Sequence, residues 1–224
     1  MGSSIAERIK PKYKVWVFDK DKGKTKRLTG INVAVSILGL IKNTDVVILA
    51  VKPQDFDVIL NEIKSYVKGK LIISIAAGIS TAYIEKLLGN ARTVRAMPNI
   101  GAKIGKSVTC LCKGMFALPE DLNFVKKLFS YLGETLILDE EMMDAATAIS
   151  GSGPGYYFDI IESMPDAYKN NPDKLLKDFI VSLAKAAESI GFNHKEGMFL
   201  SIGTGNACEY LMSKTKLSPS ELKK

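Results

Sequence analysis

Three short runs of small or conformationally special residues close apolar segments of this chain: Ala50-Val51-Lys52-Pro53, Ala76-Ala77-Gly78 and Met97-Pro98-Asn99. Small side chains at strand ends let a flat ring and its ribose come close to the backbone, and Gly78 is free to take a positive φ. In an open parallel sheet, ligands gather at the carboxyl ends of the strands, where loops and helix N-termini present free amides. A single run of this kind reads equally well as punctuation at the end of a strand. Three on successive strands point to a dinucleotide site. Gly2 and Ser3 open the first helical stretch and are the candidates for the pyrophosphate, although a complete G-x-G-x-x-G turn is absent. Asp19 ends the run Val15-Trp16-Val17-Phe18 and suits ribose hydroxyls, whereas Lys20 and Lys22 beside it suit a 2′-phosphate. The cofactor is therefore NADPH or NADH, with the choice left open by these neighbours.

A second chemistry is offered by Ser150-Gly151-Ser152-Gly153-Pro154, small residues ahead of a helical pattern. Exposed amides and hydroxyls in such a turn suit a substrate carboxylate, and a plain linker is the competing reading. Gly203 and Gly205 around Thr204 have the look of a phosphate loop but fall inside a helical pattern, where close helix packing accounts for them. Cys110, Cys112 and Cys208 are odd in number and spaced for neither a disulfide framework nor a metal. With His194 as the single histidine, no metal site is expected.

The elements that must position these residues follow from hydrophobic period. Val15–Asp19, Asp45–Val51, Leu71–Ile75, Thr93–Met97, Ser107–Lys113 and Thr135–Leu138 read as strands. The near-continuous aliphatic run from Asp45 to Val51 suits a strand buried on both faces. Met1–Ile9, Val35–Lys42, Phe56–Val67, Thr81–Leu88 and Leu122–Leu132 read as the helices between them. This alternation predicts a doubly wound parallel α/β sheet. After Glu140 the pattern becomes helical throughout, over Met142–Ile149, Tyr156–Met164, Lys174–Ile190 and Gly197–Lys214. The expected boundary lies at Asp139–Glu141, dividing residues 1–140 from 141–224.

Hydrophobic residues at 46% and charged residues at 25% predict a folded chain with a sizeable core. The net charge of +7 raises a nucleic-acid reading. The lysines are scattered outside short clusters such as Lys20–Arg27 and Lys223–Lys224, and no aromatic platform accompanies them, so no nucleic-acid partner is expected. An apolar run of about twenty residues is absent, so no membrane association is expected. The opening Met1–Ala6 lacks the order of a signal peptide, which makes a cytoplasmic location the default expectation.

Four motifs in sequence order then carry a resemblance. Asp45 to Gln54 (DVVILAVKPQ), Ile75 to Gly78 (IAAG), Arg95 to Asn99 (RAMPN) and Ser150 to Tyr157 (SGSGPGYY) resemble the pyrroline-5-carboxylate reductases, and Met1 to Ala6 (MGSSIA) resembles the tail of that family's glycine-rich turn. The resemblance implies a Rossmann-like dinucleotide-binding domain, its first strand missing, over residues 1–140. An all-α dimerisation and substrate domain, incomplete at its C-terminal end, would follow over 141–224. It implies hydride transfer from NADPH or NADH to pyrroline-5-carboxylate to give L-proline, in a homodimer or higher homo-oligomer. By motif match, Gly2 meets the pyrophosphate, Ala50, Val51, Lys52 and Pro53 line the nicotinamide and ribose, and Ala76, Ala77 and Gly78 back the nicotinamide. Glu140 matches a family acid near the substrate and is the catalytic candidate. Asn99, Ser150, Gly151, Ser152 and Gly153 shape the substrate pocket. The sequence departs from the family at Ile37, where an asparagine is usual, and over Ser163–Asp178, an apparent insertion with Pro165 and Pro172. It also ends before the family's Ser/Thr-rich glycine loop. Two other readings stay open here: a hydroxyacid-dehydrogenase type of Rossmann oxidoreductase with Lys185 as catalytic lysine, and a non-catalytic fragment of the reductase.

Overall fold

The computed structural model describes residues 1–223; Lys224, the last residue of the expected helical half, lies outside them. Seven strands run in chain order: β1 Trp16–Val17, β2 Asn32–Val33, β3 Val46–Leu49, β4 Leu71–Ser74, β5 Arg92–Pro98, β6 Ser107–Lys113 and β7 Gly133–Ile137. The helices of the first part are α1 Gly2–Ile9, α2 Lys22–Thr25, α3 Ile37–Lys42, α4 Phe56–Ile63, α5 Thr81–Leu88 and α6 Pro119–Phe129. Those of the second part are α7 Met143–Ala146, α8 Gly153–Ser163, α9 Pro165–Asn170, α10 Pro172–Ser189, α11 His194–Thr215 and α12 Pro219–Leu222.

Local chemistry sets most of these boundaries. Ser36 and Ser80 cap α3 and α5 by accepting the amides of Gly39 and Tyr83, and Gly89 ends α5 in the left-handed conformation. Asn193 with Glu196 and Ser218 with Glu221 form reciprocal capping boxes at the starts of α11 and α12. Proline stands at the first position of α6, α9, α10 and α12, where its missing N–H is of no consequence.

Among the described residues the strands form two sheets, a β1–β2 pair and a five-stranded sheet in the order β3-β4-β5-β6-β7. β1 with β2, β3 with β4, and β4 with β5 run parallel. β6 runs back beside β5, because Gly114 donates to the Thr93 carbonyl at one end while Asn99 donates to Ser107 Oγ at the other. The sheet is thus mixed rather than wholly parallel. β4 is buried along its full length, as its aliphatic run predicts, but burial alternates along β3. β3 pairs with β4 alone among the described residues, so this strand lies at an edge and falls short of the burial on both faces expected of it.

The chain divides into two compact units. One comprises Met1–Ala96 and Leu111–Tyr131, the other Met97–Cys110 and the residues from Leu132 onward, so β5 and β6 each contribute to both. The core of the first unit is aliphatic with one aromatic ring, built on Val47, Leu49, Phe56, Leu60, Ile72 and Ile84. In the second unit Tyr157, Phe158, Phe179, Leu183, Leu200 and Leu211 are buried. There α10 and α11 lie close together because glycines face the contact. A Cβ at Gly205 would stand 2.9 Å from Leu176 Cδ1, and one at Gly197 would stand 3.2 Å from the Ala184 carbonyl oxygen.

The apparent insertion forms α9 and the start of α10. Tyr168 on α9 donates to Glu209 Oε2 at 3.1 Å, and Tyr157 on α8 donates to Oε1 of the same carboxylate. Burial, followed by the charge of Glu209 and then its hydrogen bond, pushes the Tyr168 hydroxyl up to about 12. Both phenols converge on one carboxylate and tie α8 and α9 to α11. Ile37, where the resemblance leads to an asparagine, packs against the aliphatic core instead.

Candidate functional site

The first unit gathers the cofactor candidates at one end of its parallel strands. Leu49 of β3 pairs with Ser74 of β4, and Ile75 donates to the Leu49 carbonyl at 3.2 Å. The runs Ala50–Pro53 and Ala76–Gly78 therefore leave adjacent strands side by side. Ala76 is buried and packs into the core, while Ala50, Ala77 and Gly78 are exposed. Gly78 takes a φ of +71°, and a Cβ there would meet nothing within 4 Å. The exposed tips of the two strands thus carry the small residues Ala50, Ala77 and Gly78 side by side.

Gly2 begins α1 directly against the β3 tip: a Cβ at Gly2 would lie 3.0 Å from the Ala50 Cβ. Glycine is the residue that permits this approach. The amides of the first turn, including Gly2 and Ser3, have no partner within the helix, as at any helix start, and they carry the positive end of the helix dipole. Asp19, past the end of β1, accepts the amide of Asp21 at 2.9 Å and has Lys24 at 3.6 Å; Lys20 is exposed beside it. Small exposed strand tips, a glycine-first helix and an acid past the end of β1 are the features that suit a dinucleotide.

The second unit holds the substrate candidates. Ser150-Gly151-Ser152-Gly153-Pro154, expected as an open turn ahead of a helix, is instead built into helical backbone. Residues Thr147–Gly151 form a π-helical turn between α7 and α8, closed by Ser152 N donating to the Thr147 carbonyl at 2.8 Å. The departure has a packing cause: a Cβ at Gly153 would stand 2.8 Å from Thr204 Cγ2, so α8 approaches α11 to a distance that only glycine allows. Ser150 is fully buried, Gly151 half-buried and Ser152 exposed.

Asn99 and Ser150, both candidates from the sequence, meet here. Asn99 Nδ2 donates to Ser150 Oγ at 3.3 Å, while Asn99 Oδ1 accepts the Gly101 amide at 3.1 Å and caps the short 3₁₀ turn that follows. Thr204 Oγ1 donates to the same Ser150 oxygen at 3.3 Å, a contact unforeseen because its Gly-Thr-Gly setting reads as packing alone. Glu140 opens a 3₁₀ turn, Glu140–Met142, and is half-buried. Lys185 lies exposed on α10. The three cysteines are buried and in no disulfide, and burial raises the Cys110 thiol to about 12, which leaves it inert at neutral pH. Among the described residues no group of three or more His, Cys, Asp or Glu is placed to hold a metal, and no helix is long and apolar enough to cross a membrane.

These features define a Rossmann-type α/β unit accompanied by a helical unit. Comparison with known proteins narrows the class. Residues 1–78 match the family model described as NADP oxidoreductase coenzyme F420-dependent, and residues 140–171 match pyrroline-5-carboxylate reductase dimerisation. The pyrroline-5-carboxylate reductase of Methanosarcina acetivorans is 40% identical over 139 residues, which is 61% of this chain and 52% of the relative. That of Aquifex aeolicus is 31% identical over 194 residues, 86% of this chain and 65% of the relative. Among solved structures, the pyrroline carboxylate reductase of Plasmodium falciparum with NADP bound superposes with a TM-score of 0.65 at 26% identity, covering 99% of this chain and 78% of that one. The chain is homologous to the pyrroline-5-carboxylate reductases. It spans about half the length of the curated relatives it matches first.

Proposed function

We propose that the chain binds NADPH or NADH and reduces 1-pyrroline-5-carboxylate to L-proline, the last step of proline biosynthesis. The observation that carries this reading is the pairing of β3 and β4, which sets Ala50–Pro53 beside Ala76–Gly78 with the glycine-led start of α1 against Ala50. The named homologues support the same reaction. Residues 1–140 act as the dinucleotide-binding half and 141–224 as the dimerisation and substrate half.

In this reading Gly2 and Ser3 give amides to the pyrophosphate and Asp19, with Lys20 beside it, meets the adenosine ribose. Ala50, Val51, Lys52 and Pro53 line the nicotinamide ribose, and Ala77 and Gly78 form the surface under the ring, with the buried Ala76 supporting them from the core side. The cofactor, when bound, supplies the hydride. Addition of a hydride to a C=N carbon is favoured when the nitrogen is protonated, so the protein's part is to orient the two carbons and keep water away. Asn99, Ser150, Gly151, Ser152 and Gly153 shape the substrate side, with Glu140 organising the substrate.

The helical half assembles two copies of the chain into a homodimer, the unit of any higher homo-oligomer. An apolar hollow of about 410 Å³ lined by Ile149, Tyr156, Ile160, Phe179, Leu183 and Ile190 supports this, and three of those residues fall in the segment matching the dimerisation family. The proposed location is the cytoplasm.

The test is NADPH oxidation in the presence of pyrroline-5-carboxylate, with L-proline identified as product. We expect substrate-dependent oxidation that falls by about 10²-fold or more in Glu140→Ala, the scale of a lost substrate-orienting contact. Absence of any imine reduction, with activity on a hydroxy acid in its place, would overturn the assignment. Normal turnover by Glu140→Ala would remove that residue from the mechanism.

A further inference from the structure

We propose that Thr204 is a positioning residue for the turn at Ser150–Gly153, acting through its hydrogen bond to Ser150; the proposal rests on the assignment of that turn to the substrate side. A π-turn inserted in a helix is energetically costly and recurs where function needs backbone in an unusual place. Here it is held from beneath. Ser150 Oγ accepts from Asn99 Nδ2 and from Thr204 Oγ1, each at 3.3 Å, and all three side chains are buried. Two incoming donors occupy both lone pairs of a hydroxyl oxygen, so the Ser150 rotor is fixed.

The two branches of Thr204 act at different points. Its hydroxyl reaches Ser150, inside the π-turn, while its methyl faces Gly153 at the first position of α8. Between these two anchors lie Gly151 and Ser152, the half-buried and exposed residues of the motif. Thr204 thus braces the turn from a helix 54 residues further along the chain, without itself being exposed. Loss of the hydroxyl leaves Asn99 as the single donor to Ser150 and frees the turn to sample other geometries.

The two functions of the side chain separate by substitution. Thr204→Val keeps the methyl and the shape but removes the donor; Thr204→Ser keeps the donor and removes the methyl. In the full chain at saturating NADPH, Thr204→Val is expected to raise KM for pyrroline-5-carboxylate about five- to tenfold, the effect of one lost buried hydrogen bond. The kcat and the NADPH affinity stay within about twofold of the parent, since the cofactor residues are untouched. Amide exchange at Ser152, whose N–H closes the π-turn, accelerates in Thr204→Val and is restored in Thr204→Ser. Should Thr204→Val give no soluble protein, Thr204→Ala replaces it in the same comparison. Parent-like KM and Ser152 exchange in Thr204→Val would overturn the proposal, as would equal impairment of the valine and serine variants, which would show that packing alone matters. If the parent chain reduces no imine, the functional assignment fails by itself. Ser152 exchange then decides the role of Thr204: faster only in the variant lacking the hydroxyl supports it, and unchanged in every variant overturns it.

Discussion

Replacing Ala77 by leucine weakens NADPH binding strongly while leaving the melting temperature unchanged. Ala77 is exposed at the tip of β4, beside the equally exposed Ala50 at the tip of β3. Three added carbons at that point project into the volume that a nicotinamide lying on these tips must occupy. Overfilling a packed contact typically costs about 1–3 kcal/mol, or about ten- to hundredfold in Kd. The folded protein itself has no such cost, because no core atom lies over an exposed strand tip. Quenching or enhancement of NADPH fluorescence on titration gives the affinity, and thermal unfolding followed by circular dichroism gives the control. Lys185→Ala, remote in sequence and exposed on α10, should leave both quantities at their parent values. An Ala77→Leu protein that binds NADPH as tightly as the parent would show that the ring does not rest on these tips.

Substitution of Gly133 by alanine is expected to have the largest effect on folding. Gly133 opens β7 with a φ of +145°, and a Cβ there would fall 2.1 Å from the Ser107 carbonyl oxygen and 2.5 Å from its nitrogen. Both obstacles are backbone, and Ser107 N is already tied to the Leu132 carbonyl at 2.8 Å, so the strand cannot simply swing away. The expected loss is about 3–5 kcal/mol, a large part of the stability of an ordinary domain. Gly155 provides the contrast. It lies inside α8 with nothing within 4 Å of an added Cβ. Gly155→Ala should gain up to about 1 kcal/mol from helix propensity, a rise of about 2–4 °C in Tm. Denaturant titration of the two variants against the parent checks both signs. A Gly133→Ala protein as stable as the parent would mean that β6 and β7 approach each other less closely than described.

The sequence reveals most of the sheet but little of how its strands are arranged. β3 and β4 are aliphatic runs long enough to be read directly, and β5 is an apolar stretch interrupted by Arg92 and Arg95, whereas the cap at Asn193 starts α11 three residues ahead of the expected Gly197. β2 is missed because Asn32 and Val33 are both exposed, which leaves no burial period to detect. β1 shrinks to Trp16–Val17, since two residues of β2 are all the partner it has. The reversal of β6 against β5 leaves no mark on composition. It is made by the short turn that Asn99 caps, and both directions suit the same apolar residues.

The two halves of the candidate site differ in how far they could be read. Strand tips made of Ala, Gly and Lys-Pro are legible because parallel strands must place their C-terminal ends together. The turn at Ser150 is not, since glycine and serine read as loop even where close packing of α8 on α11 keeps them helical. Asn99 and Ser150 could each be singled out by residue type. Their hydrogen bond joins positions 51 residues apart and depends on how the helices pack. Thr204 could have been found from one signal. A hydroxyl flanked by glycines, which mark the closely packed face of a helix, is expected to find a partner when that face is buried.

The most direct test observes the strand tips themselves. With alanine methyl groups labelled for NMR, NADPH is titrated into the full chain and the resonances of Ala50, Ala76 and Ala77 are followed beside those of Ala184 and Ala187, which are buried in the second unit. Saturable shifts shared by Ala50, Ala76 and Ala77, larger than any at Ala184 and Ala187, are the predicted result. A cofactor that binds while those three methyls stay in place, or that produces no shift at millimolar concentration in the folded chain, would contradict the account.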